Sequence, residues 1–179
     1  MVLESENNFD FKVIHFLKGI ESPFLTGFMK GITFFGSSYF LLPAYLLTIL
    51  YFLFYKKNQR LAIDIAAIGI TSIILLFSLK RFFHRPRPVG ALIDNVSGFS
   101  FPSGHSFSSF TFFGMIIYLL LIQKPVNRPL VILLSLLIFF VAVSRIYLNV
   151  HYASDVIAGF VLCITWLTLS FGIIRKLRD

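Results

Sequence analysis

Three short polar segments interrupt an otherwise apolar chain, and their residue types suit the binding and transfer of a phosphate group. They read Lys80 with Arg87-Pro88, then Pro102-Ser103-Gly104-His105, then Ser144-Arg145 with His151 and Asp155. A charged side chain at the centre of a membrane helix costs roughly 2.5–3.5 kcal/mol. Cations, imidazoles and a carboxylate that persist in such a chain therefore indicate a site that uses them.

His151 and Asp155 have the spacing of a nucleophile and the group that orients it. They are four residues apart, so they share a helix face if the last helix begins near them. Asp155 could then accept the Nδ1 proton of His151, which leaves Nε2 free to attack phosphorus and form a phosphohistidine. The alternative for this pair alone is a histidine held by a carboxylate at a helix end. The other two polar segments weigh against that alternative.

The second segment has the pattern of an anion-binding helix start. His105 follows Pro-Ser-Gly and opens an apolar stretch, so the backbone N–H groups of Ser103, Gly104 and His105 are predicted to face outward at a helix N-terminus. The alternative is that Ser103 only caps the helix and His105 lies at the membrane interface. That alternative explains the helix start but not the other two segments.

Three cations are predicted to hold the phosphoryl oxygens and to stabilise the charge that spreads over them in the transition state, namely Lys80, Arg87 and Arg145. They would act in place of a metal ion, because Asp64 and Asp94 are isolated in the sequence and form no acidic cluster for Mg²⁺. We therefore expect neither a metal nor a cofactor. The alternative for any one cation is a residue that extends toward the membrane surface. We predict that role for Arg81, Arg85, His84 and His15.

Composition sets the class of fold that must position these residues. Apolar residues make up 57% of the 179 residues and charged residues only 13%, which is typical of an integral membrane protein. We predict one all-α domain, a polytopic helix bundle that occupies residues 1–179. Long apolar stretches predict five transmembrane helices, at roughly 37–55, 61–79, 106–122, 129–143 and 156–174, and the fourth helix can run on to about Tyr147.

The N-terminal part shows a different pattern. Apolar residues at helical spacing alternate with charged ones over residues 9–35, which predicts two amphipathic helices at the membrane surface ahead of a transmembrane core at 36–176. Gly36-Ser37-Ser38 predicts a break between the two parts. The alternative is that residues 24–55 contain one extra short span.

Basic residues predict the orientation. One set of helix connections and the C-terminus carry Lys56, Lys57, Arg60, Lys124, Arg128, Arg175, Lys176 and Arg178. The positive-inside rule makes that side cytoplasmic, so the three polar segments are predicted to face the extracytoplasmic side, which in a bacterial cell is the periplasmic side of the inner membrane. Part of the net charge of +8 then sets the membrane orientation, and the rest belongs to the predicted phosphate site. Nucleic-acid binding is not needed to explain the basic charge.

The three segments resemble the signature of the type 2 phosphatidic acid phosphatase superfamily, K-x6-RP, PSGH and SR-x5-H-x3-D. All eleven fixed positions match, in order, over a range from about residue 36 to the end. The resemblance implies that His151 is the nucleophile and that His105 first protonates the leaving group and then activates water. It also implies a phosphate site made by Lys80, Arg87, Ser103, Gly104 and Arg145.

Members of this superfamily include membrane lipid phosphatases, sugar phosphatases and soluble vanadium haloperoxidases. The resemblance therefore implies a lipid phosphate substrate, such as undecaprenyl diphosphate, phosphatidylglycerophosphate, phosphatidate or the 1-phosphate of lipid A. Membrane lipids are the expected surroundings, and no protein partner is required. Two alternatives stay open, a haloperoxidase and a lipid-phosphate binder or transporter without turnover. Binding alone would not require both histidines and Asp155.

Overall fold

The protein is an all-helical bundle in a computed structural model that describes residues 8–94, 96–122 and 124–177. Its described residues form seven α-helices and no strands, in the order α1 (Asn8–Lys18), α2 (Pro23–Phe34), α3 (Ser38–Leu50), α4 (Gln59–Phe83), α5 (Gly104–Ile122), α6 (Arg128–Tyr147) and α7 (Ala153–Lys176). A π-helical turn, Tyr51–Tyr55, extends α3. The predicted all-α fold is confirmed.

Among the described residues, five stretches are long and apolar enough to cross a membrane, which agrees with the predicted number of spans. They are Pro23–Tyr55, Gln59–Phe83, Gly104–Ile122, Arg128–Tyr147 and Ala153–Lys176. The first stretch differs from the predicted 37–55 because it joins α2 to α3. A turn at Phe35–Ser37 separates these two helices, close to the break that the sequence predicts.

Polar caps set several helix starts. The side chain of Asn58 accepts a hydrogen bond from the N–H of Leu61 at the start of α4, and Asn127 does the same for Leu130 in α6. At its C-terminus α4 ends on His84, whose left-handed backbone (φ 49°) turns the chain into the loop that leads to α5. This turn directs the residues that follow α4 back across the end of the bundle.

Helix α5 lies at the centre and packs against α3, α4, α6 and α7. Its buried side chains include Phe107 and Met115, which join Ile65 of α4 and Cys163 of α7 in one apolar core. Many large apolar side chains on the outer helix faces are exposed, as expected where the surroundings are lipid tails. The end of this core at which α5 and α7 begin is the end that carries the polar segments.

The two N-terminal helices pack on the same end of the bundle. Helix α2 lies against α6, and α1 contacts α6 and α7. The sequence places Asp10 among the polar residues between the apolar positions of α1, but the structure buries Asp10 completely. Phe9 and Phe16 are exposed instead. The Asp10 side chain therefore does not lie on a water-facing side of α1, as the amphipathic pattern predicts. It is buried because it is paired with Arg85 inside the protein.

Candidate active site

Helix ends bring the three polar segments together. Helices α4 and α6 end where α5 and α7 begin, so Lys80 in the last turn of α4 and Arg145 in the last turn of α6 reach the region of His105 and His151. Arg87 lies in the loop after α4, and its guanidinium contacts His151. Residues from all three polar segments thus meet at one end of the bundle.

His151 lies just before α7, not within it. The helix begins at Ala153, so His151 and Asp155 do not share a helix face as the sequence predicts. Instead the backbone N–H of His151 donates to the carbonyl oxygen of Arg145 (3.2 Å), and the Asp155 carboxylate accepts from the N–H of Tyr152 (3.0 Å). The chain turns sharply between α6 and α7, and this turn brings the imidazole back to the carboxylate.

Ser100 connects the two groups, and no motif in the sequence marks it. Its side chain is fully buried, and its hydroxyl donates to Oδ2 of Asp155 (2.5 Å). The hydroxyl oxygen of Ser100 also lies 3.3 Å from Nδ1 of His151, while Oδ2 of Asp155 is 3.6 Å from that nitrogen. Because the Ser100 hydroxyl donates its one proton to Asp155, it can only accept a hydrogen bond from Nδ1–H of His151. Ser100 therefore relays the interaction between the imidazole and the carboxylate.

Arg87 settles the tautomer of His151. One guanidinium nitrogen of Arg87 lies 3.0 Å from Nε2, and a guanidinium can only donate. Nε2 is therefore the acceptor and carries no proton. Burial lowers the pKa of His151 to about 3, aided by Arg145, Arg87 and Lys80, although the nearby Asp155 carboxylate acts in the opposite direction. The imidazole is therefore a free base at neutral pH.

The loop between α4 and α5 crosses over two of the predicted cations. The Lys80 ammonium donates to the carbonyl oxygen of Phe99 (2.7 Å). Arg87 donates to the carbonyl oxygens of Gly98 and Ser97, both at 3.0 Å, and to that of Val150 at 2.8 Å. These carbonyl groups hold the cations in place beside His151.

Arg145 is buried, with 4% of its surface exposed, and is supported by the N-terminal region. One of its terminal nitrogens donates to the hydroxyl of Thr33 in α2 (2.6 Å). Its Nε has no hydrogen-bond partner within the described part of the chain. A buried guanidinium with an unused donor suits an anionic ligand.

Ser103 does not face outward as the sequence predicts. Its backbone N–H donates to the carbonyl oxygen of Asp155 (3.1 Å), and its buried hydroxyl bonds that of Ser106 (2.9 Å). Its N–H is therefore engaged within the protein. Gly104 remains next to Lys80, since a Cβ atom on this glycine would lie 3.6 Å from the Lys80 side chain. His105 follows in the first turn of α5 and lies against Gly36.

Arg85 is not the surface residue that the sequence predicts. Only 5% of it is exposed, and it forms ion pairs with Asp155 (2.6 Å) and Asp10 (2.8 Å). Its guanidinium also lies over the ring of Tyr152, 4.0 Å from the centroid. Burial acts to lower the pKa of Arg85, but the two carboxylates outweigh it and the pKa is raised. Sequence reasoning missed this role because neither carboxylate is near Arg85 in the chain.

An apolar groove of about 380 Å³ runs from this site along the membrane-facing part of the bundle. Gly104 and His105 line one part of it, and the remainder is made by side chains of α3 and α4, including Leu41, Tyr45, Leu76 and Phe77. A hydrocarbon chain in this groove would place its polar end beside His105.

In the described residues, histidine, cysteine and carboxylate side chains form no group of three that could hold a metal ion. The charges that surround His151 are those of Lys80, Arg87 and Arg145. Any phosphate placed at Nε2 would meet these cations directly.

A neutral imidazole with an unprotonated Nε2, surrounded by cations at the end of an apolar helix bundle, defines a membrane-embedded phosphatase. The chain belongs to the PAP2 superfamily, which matches residues 60–179. It is 33% identical over 163 residues to phosphatidylglycerophosphatase B of Bacillus subtilis strain 168, with 89% of this chain and 80% of that protein covered. It is 30% identical over 175 residues to lipid A 4'-phosphatase of Bacteroides thetaiotaomicron, with 88% and 73% covered.

The fold agrees with this assignment. The crystal structure of a transmembrane PAP2 type phosphatidylglycerolphosphate phosphatase from Bacillus subtilis superposes with a TM-score of 0.84 at 32% identity, covering 93% of this chain and 85% of that one. These similarities confirm the predicted superfamily, the membrane-embedded fold and the class of enzyme, a lipid phosphatase.

Proposed function

We propose that this protein removes the terminal phosphate of a lipid phosphate or diphosphate at the membrane surface through a phosphohistidine at His151. The observation that carries the proposal is the chain of contacts from Arg87 to Nε2, and from Nδ1 through Ser100 to Asp155. It leaves a lone pair on Nε2 and provides a negative charge behind the ring. Both are required of a nucleophilic imidazole.

In the first step Nε2 attacks phosphorus as the bond between phosphorus and the leaving oxygen breaks. Arg87 moves from Nε2 to a phosphoryl oxygen, where Lys80 and Arg145 add their charges. His105 gives its proton to the leaving alcohol or phosphate. The phosphorylated ring is cationic, since Nδ1 keeps its proton, and Asp155 stabilises that charge through Ser100.

In the second step His105, now neutral, takes a proton from water. The resulting hydroxide attacks phosphorus and the bond to Nε2 breaks, which releases phosphate and restores the free base. Gly104 lies beside Lys80 at the start of α5 and completes the phosphate site with its backbone N–H. Ser103 contributes only by fixing this helix start to Asp155. Three protein cations carry the transition-state charge, so turnover requires no added metal.

The substrate is a lipid with a simple head group, with phosphatidylglycerophosphate as the first candidate. The name of the relative from Bacillus subtilis supports this choice, and the groove beside His105 offers room for an acyl chain. The protein lies in the cell membrane with the site on its outer, extracytoplasmic face. Basic residues on the connections at the opposite end support this orientation.

Phosphate release from purified protein in EDTA tests this function. The panel contains phosphatidylglycerophosphate, phosphatidate, undecaprenyl diphosphate and lipid A, with His151→Ala as the inactive variant and His15→Ala as the control for loss of an exposed histidine. We expect release from one lipid, unchanged in His15→Ala and lost in His151→Ala. No release from any lipid, with equal binding by wild type and His151→Ala, would favour a binder or transporter instead.

A further inference from the structure

Asp10 is an unusual residue for the first helix of a membrane protein. It is fully buried, while its neighbours Phe9 and Phe11 are about half exposed, at 50% and 54%. A buried carboxylate is costly unless it is paired and hydrogen-bonded. Asp10 therefore requires hydrogen-bond and ion-pair partners, and the identity of these partners indicates its role.

Both oxygens of Asp10 are bound to groups next to the active site. Oδ1 accepts from the backbone N–H of Ser154 (2.9 Å), and Oδ2 accepts from the hydroxyl of Ser154 (2.6 Å) and from Arg85 (2.8 Å). Ser154 lies in the first turn of α7, directly before Asp155. Helix α1 is thus joined to the start of the helix that carries Asp155.

Arg85 extends this connection to the nucleophile. Its second arm donates to Oδ1 of Asp155 (2.6 Å), and the other oxygen of that carboxylate accepts from Ser100 beside His151. The contacts form one continuous chain from Asp10 through Arg85, Asp155 and Ser100 to the imidazole. With Asp10 in place, two carboxylates share one guanidinium, and the group keeps one net negative charge behind the ring.

We propose that Asp10 is a positioning residue for lipid phosphate hydrolysis, which holds Arg85 so that Asp155 keeps its orientation and negative charge toward His151. The inference rests on the proposed role of His151 as nucleophile. Helix α1 precedes the range that matches the PAP2 superfamily, so this assigns a part in the reaction to a region outside that match. Loss of the Asp10 charge leaves Arg85 neutralised by Asp155 alone. The cationic phosphohistidine then loses its counter-charge.

The first test is Asp10→Asn in the full-length protein, with Glu21→Gln as a matched control that removes an exposed carboxylate from the same region. The expected fall in kcat is roughly 10- to 100-fold, the range typical when the group behind a functional histidine is removed. KM should stay within about twofold, because Asp10 does not touch the phosphate site. Glu21→Gln should match the wild type in both constants.

A second variant separates positioning from general stability. If Asp10 acts through Arg85, its substitution should cost nothing further once Arg85 is gone. The kcat of the double variant Asp10→Asn/Arg85→Gln should therefore equal or exceed that of Arg85→Gln, in which the buried Asp10 carboxylate has lost its guanidinium partner. This comparison also decides the matter if Asp10→Asn alone does not fold, because Asp10, Arg85 and Asp155 together carry one net negative charge in the double variant, as they do in the wild type.

Two results would overturn the positioning role. One is a kcat for Asp10→Asn equal to that of Glu21→Gln, and the other is a further tenfold loss when Asp10→Asn is added to Arg85→Gln. Failure of the proposed function is recognised separately. In that case the wild type itself releases no phosphate, whereas failure of the positioning role alone leaves wild-type turnover that His151→Ala abolishes.

Discussion

At the scale of single residues, the protonation state of His151 decides whether the site can act. His151 is 1% exposed, and burial with three nearby cations holds the pKa of its imidazole near 3. An unfolded histidine has a pKa near 6.5. The folded protein therefore binds fewer protons than the unfolded chain between these two values, and His151 makes the fold less stable as the pH falls from about 6.5 toward 3.

This difference predicts a pH-dependent loss of stability that disappears in His151→Gln. The contribution of His151 at pH 5 is roughly 2 kcal/mol relative to pH 7.5. The midpoint of thermal unfolding in detergent, measured at both pH values, should therefore fall further for the wild type than for the variant. Equal falls in the two proteins would show that His151 is not held neutral by the fold.

Most of the residues at the site could be predicted from sequence, because their types and spacing lie within three short segments. The residues that hold these site residues in position could not be predicted from the sequence. Ser100 has no motif, and Thr33, Asp10 and Arg85 act through contacts with distant parts of the chain. Those contacts depend on how α1 and α2 pack on α6 and α7. The spacing of residues along the sequence does not predict this packing.

At the scale of elements, helix ends do most of the positioning. The sequence predicts the helices well, since capping residues and long apolar stretches are local features, and the predicted extension of α6 to Tyr147 is confirmed. The start of α7 at Ala153 was not predicted, because it follows from the hydrogen bonds that Tyr152 and His151 make after folding. His151 therefore owes its position to a turn and not to a helix.

The turn between α2 and α3 gives a prediction at this scale. Gly36 packs so closely that an added Cβ would lie 2.7 Å from Val141 and 3.1 Å from the Cβ of His105. Gly36→Ala should therefore displace His105 and lower kcat by roughly 10- to 100-fold, as small misplacements of catalytic groups do. Steady-state phosphate release at saturating substrate measures this effect.

The matched control is Gly31→Ala in α2, where an added Cβ would meet no atom within 4 Å and kcat should not change. Adding Val141→Ala to Gly36→Ala removes the closest contact and should restore part of the lost activity. Full activity in Gly36→Ala would mean that His105 tolerates this displacement or takes no part in proton transfer.

At the scale of the whole molecule, the distribution of basic residues relates the site to the membrane. At the site end, Lys80, Arg87 and Arg145 surround His151, and Arg85 is paired with two carboxylates. Exposed basic residues lie on the connections and terminus at the opposite end, namely Lys56, Lys57, Arg60, Lys124, Arg128, Arg175 and Lys176. Lys80, Arg87 and Arg145 are accounted for by the proposed phosphate site, and the positive-inside rule applied to the basic residues at the opposite end predicts that this opposite end is cytoplasmic.

This division predicts which end of the protein an external reagent can reach. Cys163 is the one cysteine of the sequence and is buried, so Cys163→Ala provides a background without reactive thiols. In that background Asp94→Cys, in the exposed loop above the site, should react with a membrane-impermeant maleimide in intact cells, whereas Lys56→Cys should react only after permeabilisation. The reverse pattern would place the site in the cytoplasm. In that case the basic residues at the opposite end would not have set the topology, and the substrate would be drawn from the inner leaflet.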